Sequence, residues 1–217
     1  MRAFAREGGN FFAVSLYLDI IMGYIIAGLG NPGDEYEGTR HNVGRMVVEK
    51  FAKKQELSDW KDDKYTKALV AKGKVGKESV VAVMPETFMN NSGKAIAPLV
   101  KNAKQAEKLV VIYDDLDLPL GTMKISFDRG SGGHRGLESI IKHLKTRAFV
   151  RVRVGVSPAT PSGKLRKPSG EDAVIKFILG KFSPKETDVL KKVLKKASEA
   201  LELVVTEGRE RAMGEVN

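Results

Sequence analysis

The chain contains no cysteine. That absence excludes disulfide cross-links, thiolate metal centres and a cysteine nucleophile. Histidine is nearly as scarce, with only His41, His134 and His143, so a multi-histidine metal centre is not expected. Aromatic residues make up 7% of the 217 residues, with a single tryptophan, which leaves few rings for stacking on bases. No apolar run approaches the ~20 residues that cross a bilayer. The nearest, over residues 11–22, is interrupted by Asp19. Arg2 and Arg6 ahead of it imitate a secretion signal, but Glu7 spoils the basic start and no small-x-small cleavage site follows. Residues 1–21 therefore read as an amino-terminal extension, and residues 22–217 as the core domain.

Acidic residues are also scarce in one stretch. The net charge is +10, from 37 lysines and arginines against 27 acids. Residues 121–170 hold eleven of those basic groups and two of the acids, hence +9 of the excess. Charge concentrated in this way favours a polyanionic partner and marks where it is met. At 42% hydrophobic content the chain can still bury a sizeable core in one domain.

Short apolar runs rich in β-branched residues predict strands near 24–28, 66–72, 79–84, 109–113, 122–127 and 149–156. Helical spacing appears in Val43, Met46, Val47 and Phe51, and again in Leu137, Ile140, Ile141 and Leu144. A further stripe, Ile96, Leu99, Val100 and Ala103, follows Ser92 as its expected N-cap and contains Pro98, which should kink it. The last helix has the clearest start. Ser183, Pro184 and Glu186 supply an N-cap, a first-turn proline and a capping-box glutamate ahead of the stripe Val189 to Val204. Strands alternating with helices predict an α/β fold, a single-domain three-layer sandwich with a mixed central sheet. Residues 157–170, rich in proline, glycine and basic groups, form the one long loop, either a lid or a solvated connector.

Gly28-Leu29-Gly30-Asn31-Pro32-Gly33 follows a strand and matches the spacing of a dinucleotide fingerprint. Such a fingerprint opens directly into a helix that receives the pyrophosphate. Here Asp34, Glu35 and Glu37 follow instead and would repel it. A tight turn explains the glycines but leaves Asn31, Tyr36 and His41 unexplained. His41 is a candidate general base, provided that a carboxylate fixes its tautomer. Asp114, Asp115 and Asp117 follow an apolar strand, where α/β sites collect. They could form a solvated turn, a Mg²⁺ site or the partner of His41, and the adjoining basic segment favours the last.

Phe88 and Met89 lie between a strand and a helix, as core or as the lining of a small pocket. Asn90 beside them is either an N-cap or an amide that reads substrate. Residues 130–136, Gly-Ser-Gly-Gly-His-Arg-Gly, form a flexible turn or a phosphate cradle ahead of a helix. Period-two alternation over 149–156 places valines on one face and Arg151 and Arg153 on the other, with Lys124 nearby. Phosphate contact without base reading is expected there, with marked salt dependence.

Taken together, residues 28–33, Tyr36, Thr39-Arg40-His41-Asn42-Val43-Gly44, residues 87–90, Asp114-Asp115-Leu116-Asp117-Leu118-Pro119 and Gly132-Gly133-His134 closely resemble the bacterial-type peptidyl-tRNA hydrolase family. The resemblance runs from about Met22 to about Gly208. It implies a monomeric, cytoplasmic esterase, without metal or cofactor and not on a membrane, that cleaves the bond between a peptide and the 3′ ribose of tRNA. Its partner would be peptidyl-tRNA, met at the acceptor stem and 3′ CCA end. By the same resemblance His41 activates water and Asp114 holds it in its basic form. Asn31 tells blocked from free amino groups, Asn90 binds the substrate backbone, and Tyr36, Phe88 and Met89 line the cleft. Two positions depart from the family pattern. Arg135 stands where asparagine is usual, and Ser126 where a second basic residue often grips the 5′ phosphate with an arginine like Arg153. Lys124, Arg135 or Arg151 would compensate. The competing reading is a non-catalytic RNA-binding relative of the same fold, of the RNA splicing type, which would need neither His41 nor Asp114.

Overall fold

A computed structural model describes residues 23–160 and 162–217. The expected extension over residues 1–21 lies outside them. Among the described residues seven strands, β1 (Tyr24–Gly28), β2 (Lys61–Asp63), β3 (Ala68–Val75), β4 (Glu78–Pro85), β5 (Leu109–Pro119), β6 (Met123–Phe127) and β7 (Val150–Ser157), form one sheet. Their order is β2-β3-β4-β1-β5-β7-β6. The four central strands β4, β1, β5 and β7 are parallel, and the strands outside them pair antiparallel. Unbroken runs such as Val80–Met84 and Leu109–Tyr113 are buried throughout, as expected of parallel strands covered on both faces.

Seven helices of the described residues complete the sandwich: α1 (Val43–Lys54), α2 (Ser92–Ile96), α3 (Ala103–Glu107), α4 (Arg135–Leu144), α5 (Glu171–Ile178), α6 (Pro184–Glu207) and α7 (Arg209–Val216). Val47, Val48 and Phe51 of α1 pack with Val193, Leu201 and Val204 of α6 on one face of the sheet. Ile96 of α2 and Leu137 and Ile140 of α4 cover the other. The mixed-sheet, three-layer α/β expectation therefore holds. No helix among the described residues is long and apolar enough to cross a membrane.

Several boundaries differ from expectation for physical reasons. Pro98 divides the predicted second helix rather than kinking it. α2 ends at Ile96, a 3-10 turn holds Ala97–Leu99, and α3 begins anew behind Asn102, whose side chain caps the Gln105 N–H. Ser92 is the first residue of α2 and not its N-cap; its hydroxyl donates to Met89 O at 2.8 Å. At α6 the capping box of Ser183 and Glu186 is complete in both directions.

α1 starts directly beneath the carboxyl ends of β1 and β5, where the chain's crossovers diverge to opposite faces. That approach needs a residue without a side chain. A Cβ on Gly44 would lie 2.3 Å from Ile112 O and 2.6 Å from Leu29 O, backbone atoms that cannot swing aside. Gly44→Ala is expected to destabilise the fold by about 1–3 kcal/mol, the usual cost of overpacking. Chemical denaturation measures this; an unshifted midpoint would show that α1 can lift off the strands at no cost.

Candidate active site

Between β1 and α1 the chain turns back on itself, and a pair of asparagines locks the turn. The Asn31 N–H donates to Asn42 Oδ1 at 2.8 Å, and Asn42 Nδ2 donates to Asn31 O at 2.9 Å. Asn31 Oδ1 accepts the Met89 N–H at 2.8 Å, which fixes its amide orientation. The Asn31 Nδ2 makes no hydrogen bond among the described residues, and Asn31 lines the adjoining cleft.

Arg40 and His41 belong to the 3-10 turn Arg40–Asn42 that leads into α1. Arg40 points away from the cleft and is nearly buried. Its guanidinium lies 4.5 Å from the centre of the Phe177 ring and 5.1 Å from that of Phe182. It donates to Gly180 O, to Lys181 O and to both carboxylate oxygens of Glu186. His41, one residue on, faces inward at 8% exposure.

β5 runs on past Tyr113, where the strand was expected to stop, and this extension carries Asp114 into the interior at 4% exposure. Two imidazoles converge on one of its oxygens. His41 Nδ1 is 2.8 Å and His134 Nε2 is 3.1 Å from Asp114 Oδ1. The partners assign the protons. His134 Nδ1 accepts the Leu137 N–H and caps α4, so its Nε2 carries a proton and donates to Asp114. His41 Nδ1 donates likewise, which leaves its Nε2 as a lone pair with no hydrogen-bond partner among the described residues. Burial alone would raise the Asp114 pKa. The positive charge that His41 carries when protonated and the hydrogen bonds from His134 and His41 outweigh burial and hold the carboxyl well below the usual range. Tyr113 packs against the His134 ring at 4.8 Å, and burial pushes its phenol far upward, so it remains neutral.

Ligand atoms of His41, Asp114 and His134 lie within 4.8 Å of one another, close enough to gather a transition ion. An ion there would have to displace both hydrogen bonds on Oδ1. These three side chains open onto a cleft of about 1330 Å³. Phe88, Met89 and Asn90 line it from one side, and Val174, Ile175, Ile178 and Leu179, around α5, also face into it. Phe88 is 58% exposed and free to meet an apolar group.

Most of the predicted side chains meet here. Asn31, His41, Phe88, Met89, Asn90, Asp114, Lys124, Arg135 and Arg153 all line the cleft. Asn90 caps no helix, since Phe88 and Asn91 occupy the cap positions. Tyr36 meets the cleft through Phe88, its ring edge to face with that of Phe88 at 6.4 Å. One expectation is corrected. Arg151 is fully buried and cannot reach a phosphate. It donates to the Arg147, Phe149 and Arg129 carbonyls, and its guanidinium stacks 4.2 Å from the Phe149 ring centre. At Arg151 both faces of β7 are covered, so alternation did not bring this side chain to a surface, although it did so for Arg153. The second donor on Asp114, the Asn31–Asn42 lock and the apolar side of α5 were missed. His134 carried a signal, a histidine at the end of a glycine loop just before a helix; the others had none at the level of spacing.

The comparisons with known proteins agree with this geometry. A family model described as peptidyl-tRNA hydrolase matches residues 25–217. The peptidyl-tRNA hydrolase of Aquifex aeolicus is 41% identical over 192 residues, 87% of this chain and 93% of that protein. The one from Herpetosiphon aurantiacus is 43% identical over 196 residues, 89% and 90% of the two chains. The crystal structure of peptidyl-tRNA hydrolase from Acinetobacter baumannii superposes with a TM-score of 0.79 at 31% identity, covering 90% of this chain and 94% of that one. With a family match over nearly all the described residues and the same fold in a solved relative, the chain belongs to the peptidyl-tRNA hydrolase family.

Proposed function

We propose that the chain hydrolyses the ester between a peptide and the 3′ ribose of tRNA, with His41 as general base. The observation that carries this is the His41–Asp114 contact, with the unoccupied Nε2 of His41 facing a large cleft. Water held by Nε2 gives up its proton as its oxygen bonds to the ester carbonyl carbon. Asp114 stabilises the imidazolium that forms. The Asn31 Nδ2, pinned by Met89, is placed to donate to the developing oxyanion or to the peptide carbonyl. Collapse breaks the bond to the ribose oxygen, which takes the proton back from His41 Nε2. The products are a peptide carboxylate and a free 3′ hydroxyl.

The apolar wall of Phe88, Met89 and α5 receives the peptide. The cations Lys124, Arg129, Arg135 and Arg153 receive the acceptor stem and the CCA end, in a monomeric, cytoplasmic enzyme. Lys124 and Arg153 sit opposite one another in register on β6 and β7, which suits two contacts to one stretch of backbone. Residues 22–217 constitute the working unit on this reading.

Release of N-acetylated aminoacyl groups from tRNA tests the proposal, with unblocked aminoacyl-tRNA as control. Turnover of the blocked substrate, well above the unblocked one, is expected. Binding of tRNA without turnover of either would instead support the RNA-binding reading.

A further inference from the structure

Among the described residues five cations line the cleft: Lys124, Arg129, Arg135, Arg153 and Lys167. Three of them are already engaged by carboxylates that line it too. Arg153 Nε bonds Asp115 Oδ2 at 2.7 Å, Lys167 pairs with Asp117, and Arg135 with Glu171. The other two make no ion pair among the described residues. All three engaged cations come from the basic segment 121–170, and all three carboxylates come from just outside it. The pairs span 38, 50 and 36 residues, so none is an incidental neighbour on a single helix. Lone exposed ion pairs are common and weak. Three that converge on one cleft, each quenching a cation suited to phosphate, have a shared effect.

We infer that Asp115, Asp117 and Glu171 act as internal competitors of RNA phosphate and set the enzyme's preference for RNA that carries a peptide. The inference rests on the proposed hydrolysis. Substrate and product share every phosphate and differ only in the ester-linked peptide. Phosphate contacts bind both alike, so strong ones would retain the product and admit uncharged RNA. Carboxylates that must be displaced lower this shared affinity. They leave untouched the contacts that only the peptide can make with Phe88, Met89 and the α5 wall. Selectivity then comes from the part of the ligand that is to be removed.

Glu171 is the residue to test, because it and Arg135 are both well exposed and their replacement disturbs no packing. Deacylated tRNA is the probe, and its dissociation constant from the full chain is the readout. Glu171→Gln is expected to tighten binding by about 1.5- to fivefold, the range of exposed ion pairs. Arg135→Ala should weaken it, and adding Glu171→Gln to that background should then change nothing. Asp117→Asn is expected to tighten binding through Lys167 in the same way. Glu199→Gln, which removes a carboxylate paired with Lys195 on α6, should have no effect. The inference is overturned if Glu171→Gln leaves the constant unchanged, or tightens it equally in the Arg135→Ala background. Equal tightening by Glu199→Gln would overturn it as well, since bulk charge would then suffice. These measurements need no turnover, so a wild-type chain that releases no peptide would refute the proposed function separately.

Discussion

His41→Ala is expected to lower kcat by about 10²–10⁴, the usual contribution of a positioned general base. Little of this loss should come from folding. His41 lies in a 3-10 turn whose anchors are its neighbours, Arg40 on Glu186 and Asn42 on Asn31, and both survive the substitution. Thermal unfolding of the variant should therefore stay close to wild type while single-turnover ester cleavage collapses. Full activity in the variant would remove His41 from the mechanism. A parallel fall in stability and activity would make it a structural residue.

Asp114→Asn should cost about as much, up to roughly 10⁴ in the analogous case of a triad aspartate. The replacement presents one carbonyl oxygen and one NH2 group where a carboxylate accepted two N–H donors. Both imidazoles bond the same oxygen, so a carbonyl set there keeps both contacts without the negative charge, and an NH2 set there leaves both imidazoles without an acceptor. If the NH2 faces His41, the proton moves to Nε2 and the base is lost. The wild-type pH profile carries a related prediction. The carboxyl of Asp114 is held below the usual range, so it stays ionised wherever the protein works and does not set the acid limb of kcat/KM. A depressed folded-state pKa also contributes stability that is present above the unfolded value and lost as pH falls through the folded one. Wild type should accordingly lose this contribution below about pH 4. The asparagine variant should lack that loss.

The sequence carried the architecture well where one physical rule acted alone. Unbroken apolar runs became the parallel strands, and Ser183-Pro184 with Glu186 became a complete capping box. It misled where a second rule intervened. Alternation correctly set Arg151 opposite the valines, yet that end of the face is covered and only Arg153, two residues on, reaches the cleft. β2 is three charged residues, Lys61–Asp63, and α5 buries no residue fully, so neither produced a pattern. At the site, residue types and motifs revealed His41, Asp114 and Asn31. That His134 shares the carboxylate oxygen, and that Asn42 locks Asn31, follows only from the turn geometry after β1 and the length of β5.

The bond between Arg40 and Glu186 reaches across 146 residues and ties the turn bearing His41 to the start of α6. Synthesis runs from the amino terminus, so strands β1 to β5 emerge long before that glutamate does. Until then Arg40 has neither its carboxylate nor the rings of Phe177 and Phe182, and the His41 turn lacks its outer support. A nascent copy of this chain is itself a peptide joined to tRNA. The fold thus leaves the His41 turn without this outer support until most of the chain has been made.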